Sequence, residues 1–352
     1  MLRSIPRREN AAQMITPSPE TRQARSARAW QHALREAFKQ PAELLAFLGI
    51  DPALPQLDTA ALADFPLRVP RGFASRMRKG DTSDPLFLQV WPAGAEALTV
   101  DGFGLDAVGD KARLKDGGIV HKYQHRVLVM ATGACGVHCR YCFRRHFPYS
   151  EALAGRDHWR EALAQIAADR SITEVILSGG DPLSLSDDKL GEFLDGLDGI
   201  AHVRRLRIHT RQPVVLPERV DDGLIALLAR TRLRTAMVLH ANHANELDEQ
   251  VARACVRLRE AGVSLLNQAV LLRRINDDVD ALQALSERLF DCGVLPYYLH
   301  LLDRVAGSAH FEVDEDRARA LMRELSTRLP GYLLPRLARE TAGLPAKEVL
   351  AW

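Results

Sequence analysis

From Arg126 onward the chain repeats one pattern: a short apolar run, a polar turn, then a stretch with helical spacing. The runs Val127–Met130, Val175–Leu177, Leu206–Ile208, Ala236–Leu239, Val263–Val270 and Leu295–Leu299 read as strands. Trp159, Leu163, Ile166 and Ala167, and again Leu224, Leu227 and Leu228, fall on one face of a helix. Such alternation builds βα units on a parallel sheet with right-handed crossovers. The expectation is therefore an α/β fold, a partial (β/α)6 barrel of six strands, two short of closure. It is flanked by an N-terminal helical and irregular segment over 1–118 and a C-terminal segment over 331–352, with the barrel over 119–330. In the first of these, residues 1 to about 20 read as a loose tail, and Thr21–Leu48 carries a helical pattern interrupted by Pro41. Asp51–Gly118, rich in Pro, Gly and Asp, is irregular or forms a cap.

Polar residues gather in one place, directly after successive strands. They are Cys135, Cys139 and Cys142; Gly179, Gly180 and Asp181; His209, Thr210 and Arg211; His240 and His243; and His300 and Asp303. Loops at the carboxyl ends of parallel strands form the ligand mouth, so this placement predicts one shared site. The Cys-x3-Cys-x2-Cys spacing supplies three thiolates from one loop. A fully ligated electron-transfer cluster and a structural zinc site each want four ligands, so three suit a 4Fe-4S cluster with one iron left open. This spacing resembles the radical S-adenosylmethionine superfamily, in which the cofactor's amino and carboxylate groups take the open iron and the reduced cluster cleaves it to a 5′-deoxyadenosyl radical. Gly179-Gly180-Asp181 alone is an ordinary strand-ending turn. Behind the cysteines it resembles the segment that lines the cofactor's methionine amino group in that superfamily, with His209 and Arg211 as further cofactor-side candidates. His240, His243 and His300 read as a polar lining of the mouth rather than a separate metal site.

Composition excludes several classes. A chain of 352 residues that is 47% hydrophobic and carries a net charge of +2 fits a globular protein with no overall pull toward nucleic acid or anionic lipid. No apolar run reaches the roughly 18 residues a membrane span needs. The basic N-terminus lacks the apolar stretch of a signal peptide. Five cysteines, three of them in one loop, argue against a disulfide framework, with Cys255 and Cys292 as inert core thiols, so a cytoplasmic location is expected.

His121–Leu128, Cys139–Arg145, Thr210–Pro217, Leu266–Arg273 and Pro296–Asp303 together resemble the lysine 2,3-aminomutase family. Within that family, the stretch Leu299–Phe311 is similar to the branch that makes (R)-β-lysine from L-lysine for modification of elongation factor P, where a separate ligase attaches the product. The resemblance implies a second cofactor, pyridoxal 5′-phosphate, bonded through Lys347. It places Lys122, Tyr123, Arg126 and Gln268 around that cofactor, with the basic pair suiting its phosphate. Arg144 falls at the position that receives the substrate carboxylate, and Asp303 and Glu340 at those that hold the ε-ammonium of lysine. An external one-electron donor such as flavodoxin or ferredoxin is also implied.

Two departures from the family pattern stand out. Glu340 replaces an aspartate, adding one methylene to the pocket wall. Asp278 stands where longer members place a zinc-ligating cysteine, so no zinc is expected. The alternatives are the same chemistry on another amino acid such as glutamate, a radical enzyme without pyridoxal phosphate, and an iron–sulfur sensor that is no enzyme.

Overall fold

A computed structural model describes residues 29–54, 57, 65–153 and 158–352. The expected tail over residues 1 to about 20 lies outside these. All six anticipated strands form and lie side by side in parallel: β3 (Arg126–Thr132), β4 (Glu174–Gly179), β5 (Arg205–Thr210), β6 (Arg234–Leu239), β7 (Ser264–Val270) and β8 (Leu295–His300). The parallel run then extends by a seventh strand, β9 (Arg336–Arg339), so the C-terminal segment is woven into the sheet. Antiparallel additions close each side: β1 (Leu114–Lys115) and β2 (Ile119–Tyr123) before β3, and β10 (Glu348–Val349) after β9. Strand order follows the chain from β1 to β10, and the sheet stays open between those two edges.

The crossover helices begin where short polar side chains cap them. Ser186, Asp221, Asp248, Asp278 and Asp314 each accept a backbone N–H from the first turn of the helix that follows. Such caps are worth roughly 1 kcal/mol apiece and set where each βα loop must end. Asp278 is thereby occupied as a cap, accepting from Ala281 N at 2.8 Å.

Alternation along the strands separates core from site. On β5, Leu206 and Ile208 are fully buried among the helices, while Arg207 and His209 point the other way and line the central cavity. Cys255 and Cys292 sit in the same helix-side core, as expected of inert thiols.

The N-terminal segment builds a second core. Trp30, Phe38, Leu44, Leu48, Val69, Phe73 and Phe87 pack together and against Val137 of the cysteine loop and Val215. Within the stretch over 51–118, the described residues from Leu67 to Trp91 therefore form a cap seated on that loop. Pro41 does not interrupt a helix here; it opens a new one, Pro41–Leu48, at the first turn, where a missing N–H costs nothing.

Candidate active site

One cavity of about 520 Å³ occupies the carboxyl end of the parallel strands, within the range of small-molecule sites. Its wall includes Cys135, Cys139 and Cys142; Gly179, Gly180, Asp181, His209 and Arg211; and Lys122, Tyr123, Arg126, Arg144, Gln268, Asp303, Glu340 and Lys347. Residues more than two hundred positions apart thus share one space. His240 and His300 line it too. His243 does not belong to that lining: its ring accepts a backbone N–H from Asn245 and caps a short turn.

The cysteine loop is fixed from both sides. Gly180 N donates to Thr132 O at 2.6 Å and Asp181 N to Ala134 O at 2.8 Å, joining the Gly-Gly-Asp turn to the chain just before Cys135. A Cβ on Gly180 would lie 2.5 Å from Ala134 O, and Gly179, at φ +116°, would meet Thr132 O at 2.7 Å. The glycines therefore serve the approach of two protein loops, not only that of a ligand. The Asp181 carboxylate is likewise committed, accepting from Thr210 Oγ1 and from the N–H groups of Leu183, Arg211 and Gln212. What this turn offers a cofactor is its backbone, not that side chain. From the cap side, fully buried Arg140 forms a two-pronged ion pair with Glu96 at 2.8 and 2.5 Å, and Arg68 donates to Cys135 O at 3.1 Å.

Burial pushes the Cys135 thiol well up, and with the neighbouring Cys139 lifts Cys142 to about 11. As free thiols Cys135 and Cys142 are neutral, and binding a cation would release their protons. Among the described residues no three His, Cys, Asp or Glu side chains close on a single point as ligands of one metal ion do. A four-iron cluster asks for a wider arrangement, one thiolate per iron, and the donor set on this wall fits that group.

The histidines of the wall are neutral. Burial, then Arg211, drives His240 down to about 3, and its Nε2 lies 2.9 Å from Tyr141 OH. Burial, then Lys347, lowers His300, and burial with Arg207 and Lys347 lowers His209, whose buried Nε2 has no partner among the described residues.

At the other end of the cavity the charges interlock through a residue that sequence reasoning missed. Asp110, 2% exposed, meets Lys122 Nζ at 2.6 Å and Arg144 Nε at 2.8 Å. Lys122 is thus held by Asp110 and by Val108 O, whereas Arg126, expected beside it at a phosphate, has among the described residues only a cation–π contact with Tyr123 at 4.6 Å. Arg144 also donates from Nη1 to Ser178 Oγ at 2.9 Å, leaving Nη2 without a partner among the described residues. Glu340 accepts from Tyr123 OH and pairs with Lys347 Nζ at 3.3 Å, and that Nζ lies 3.4 Å from His300 Nε2. Asp303 is half-buried by surface but walled in by protein, and burial pushes its carboxyl up to about 7. Beside the loosely held Lys347 amine, Arg126 and the ring of Tyr298, a phosphorylated aldehyde cofactor fits.

Burial opposes ionisation of Asp110, but Arg144 and Lys122 outweigh it and hold the carboxyl below its ordinary range. Its contribution to stability is therefore full above the unfolded value near 3.8 and is lost as pH falls through the lower folded value. Asp110→Asn is expected to cost on the order of 3 kcal/mol in urea unfolding at pH 7, with the deficit shrinking in acid. A variant as stable as the parent at pH 7 would show that Asp110 does not hold the two cations.

The fold is thus an open α/β sheet, a partial barrel with the cysteine loop at the end of its first parallel strand. The chain is 47% identical over 322 residues to "L-lysine 2,3-aminomutase" of Escherichia coli (strain K12), covering 91% of this chain and 94% of that one. It is 46% identical to the protein of the same name from Haemophilus influenzae, covering 92% and 95%. Against that of Clostridium subterminale it is 32% identical, over 77% of this chain and 65% of the other. The chain belongs to the L-lysine 2,3-aminomutase family and is an isomerase. No family model matches it. Among solved structures, a radical SAM methyltransferase from Sphaerobacter thermophilus aligns with a TM-score of 0.41 at 18% identity, over 63% of this chain and 68% of that chain.

Proposed function

We propose that the protein is a radical S-adenosylmethionine, pyridoxal-phosphate-dependent aminomutase that converts L-lysine to (R)-β-lysine. The observation that carries this reading is the single cavity whose wall holds three thiols and, with them, a lysine amine, a free arginine edge and two carboxylates. The names of its relatives support lysine as the substrate. The stretch Leu299–Phe311 supports supply of β-lysine for modification of elongation factor P.

Moving an amino group from Cα to Cβ requires removal of an unactivated Cβ hydrogen, which no side-chain base can take. When bound, the cluster with S-adenosylmethionine supplies a carbon radical for that removal, and pyridoxal phosphate supplies a π-bond to the migrating nitrogen. Cys135, Cys139 and Cys142 would hold the first group, and Lys347, with Arg126, Tyr123 and Gln268, the second. The protein's own work is placement. Arg144, oriented by Asp110, presents Nη2 to the substrate carboxylate. Asp303 and Glu340 meet the distal ammonium. His300 Nε2, 3.4 Å from Lys347 Nζ, helps to hold that amine in the cavity. Leu128, Ile176, Val270 and Leu302 give the wall apolar stretches that keep water from the reacting carbon.

The test is anaerobic incubation of reduced, reconstituted protein with L-lysine, S-adenosylmethionine and pyridoxal phosphate. β-Lysine is the expected product, and its absence from protein carrying both cofactors would refute the reading.

A further inference from the structure

Behind the cysteine loop lies a buried polar network that the mechanism above does not use. Arg211, 6% exposed, donates from Nη1 to Cys139 Sγ and to Tyr141 OH, each at 2.7 Å. From Nη2 it donates to Gln89 Oε1 at 2.6 Å and to Glu246 Oε2 at 2.8 Å. Glu246 is fully buried, and its other oxygen accepts from Asn242 N, His243 N and Gln89 Nε2. Asn242 Nδ2 in turn donates to Tyr141 OH and Gln89 Oε1. Every member is thereby fixed against its neighbours.

A buried ion pair is a poor source of stability, since desolvation consumes most of its attraction. Its effect here is directional. The guanidinium touches the sulfur, while the carboxylate that balances it stands on the guanidinium's far nitrogen. Hydrogen bonds and charge at cluster sulfurs are among the protein's means of setting a reduction potential. Reduction adds one negative charge to the cluster, and a cationic donor on a ligand sulfur stabilises that form.

We infer that Arg211, held by Glu246, sets the potential of the iron–sulfur cluster through its contact with Cys139. Arg211 raises the potential and Glu246 restrains the rise. The inference rests on the cluster assignment above and concerns a positioning residue, not a ligand.

The two partners therefore have opposite effects, which a merely structural network would not produce. Wild type, Glu246→Gln and the double variant Arg211→Met with Glu246→Gln are reconstituted anaerobically, their iron and sulfide counted, and their clusters titrated by electron paramagnetic resonance without S-adenosylmethionine or lysine. The double variant removes both charges at once, so no lone buried charge is left. The expected order of potential is Glu246→Gln highest, wild type next and the double variant lowest. Neighbours in that order differ about tenfold in reduced-to-oxidised ratio at fixed poise, about 59 mV for one electron. Equal potentials in three proteins with full clusters would overturn the inference and leave the cluster assignment standing. A wild type that takes up no iron would instead sink the assignment itself. Should the double variant fail to fold, Glu246→Gln decides alone, and a potential at or below wild type overturns the role given to Arg211.

Discussion

Lys347→Ala is expected to abolish covalent capture of pyridoxal phosphate while leaving the iron content unchanged. Among the described residues two lysines line the cavity, Lys122 and Lys347, and their surroundings separate them. Lys122 Nζ is committed to the Asp110 carboxylate at 2.6 Å and to Val108 O at 2.7 Å. Lys347 Nζ has looser neighbours, Glu340 at 3.3 Å and the neutral ring of His300 at 3.4 Å. A Schiff base needs an amine that can leave its partners, and the longer contacts make Lys347 the better placed of the two to form one. Borohydride reduction of the loaded protein, followed by peptide mapping, should place the pyridoxyl label on Lys347. In Lys347→Ala the label should vanish, and its transfer to Lys122 would overturn the assignment. The cysteine loop is braced by Glu96, Arg68 and the Gly-Gly-Asp turn, none of which touches Lys347, so cluster loading provides the internal control.

Why was so much of this frame visible in the chain alone? A strand buried on both faces, such as β4 with every residue buried, must be a continuous apolar run, and such runs stand out. The cysteines and the polar residues after each strand were legible for a related reason, because a parallel sheet puts all those loops at one end. β9 was not legible. It is four residues long, and Arg336 and Arg339 flank its two buried residues, so it has neither the length nor the pattern of a strand. Asp110 was equally hidden, since it lies in a stretch without periodicity and owes its role to Arg144, thirty-four residues away. Glu96, Gln89 and Glu246 look like ordinary surface polar residues until the fold buries them against Arg140 and Arg211. The glycines of the Gly-Gly-Asp turn were found by their position, but their task is close packing against Thr132 and Ala134, which no local pattern discloses.

The remaining large effect concerns Asp303, where stability and substrate choice are expected to oppose each other. Burial raises its carboxyl to about 7; Lys347 pulls that value back, while Glu340 and Asp110 push it further up. Between the ordinary value of 3.8 and about 7 the folded protein therefore keeps a proton that the unfolded chain has released. Stability falls as pH rises through that window and reaches its floor above it. Asp303→Asn removes this penalty, so the ligand-free variant should melt higher than the parent at pH 8 and nearly equal to it at pH 4. Lysine reverses the balance, because its ammonium favours the ionised carboxylate and its arrival below about pH 7 must expel the proton. The wild-type KM for lysine is accordingly expected to fall as pH rises toward 8, and that dependence should be lost in Asp303→Asn. Losing one partner of a buried charge pair costs on the order of 2–5 kcal/mol. Lysine turnover in the variant should then drop by roughly one to three decades at pH 8. Glu340→Gln should act in the same direction but less selectively, since that side chain also engages Tyr123, Lys122 and Lys347. Norleucine, which keeps lysine's carbon chain and lacks only the terminal ammonium, separates the explanations. A loss for lysine alone assigns the carboxylates to its distal charge, whereas equal losses for both substrates would assign them to the fold or to the cofactor and end the lysine-specific reading.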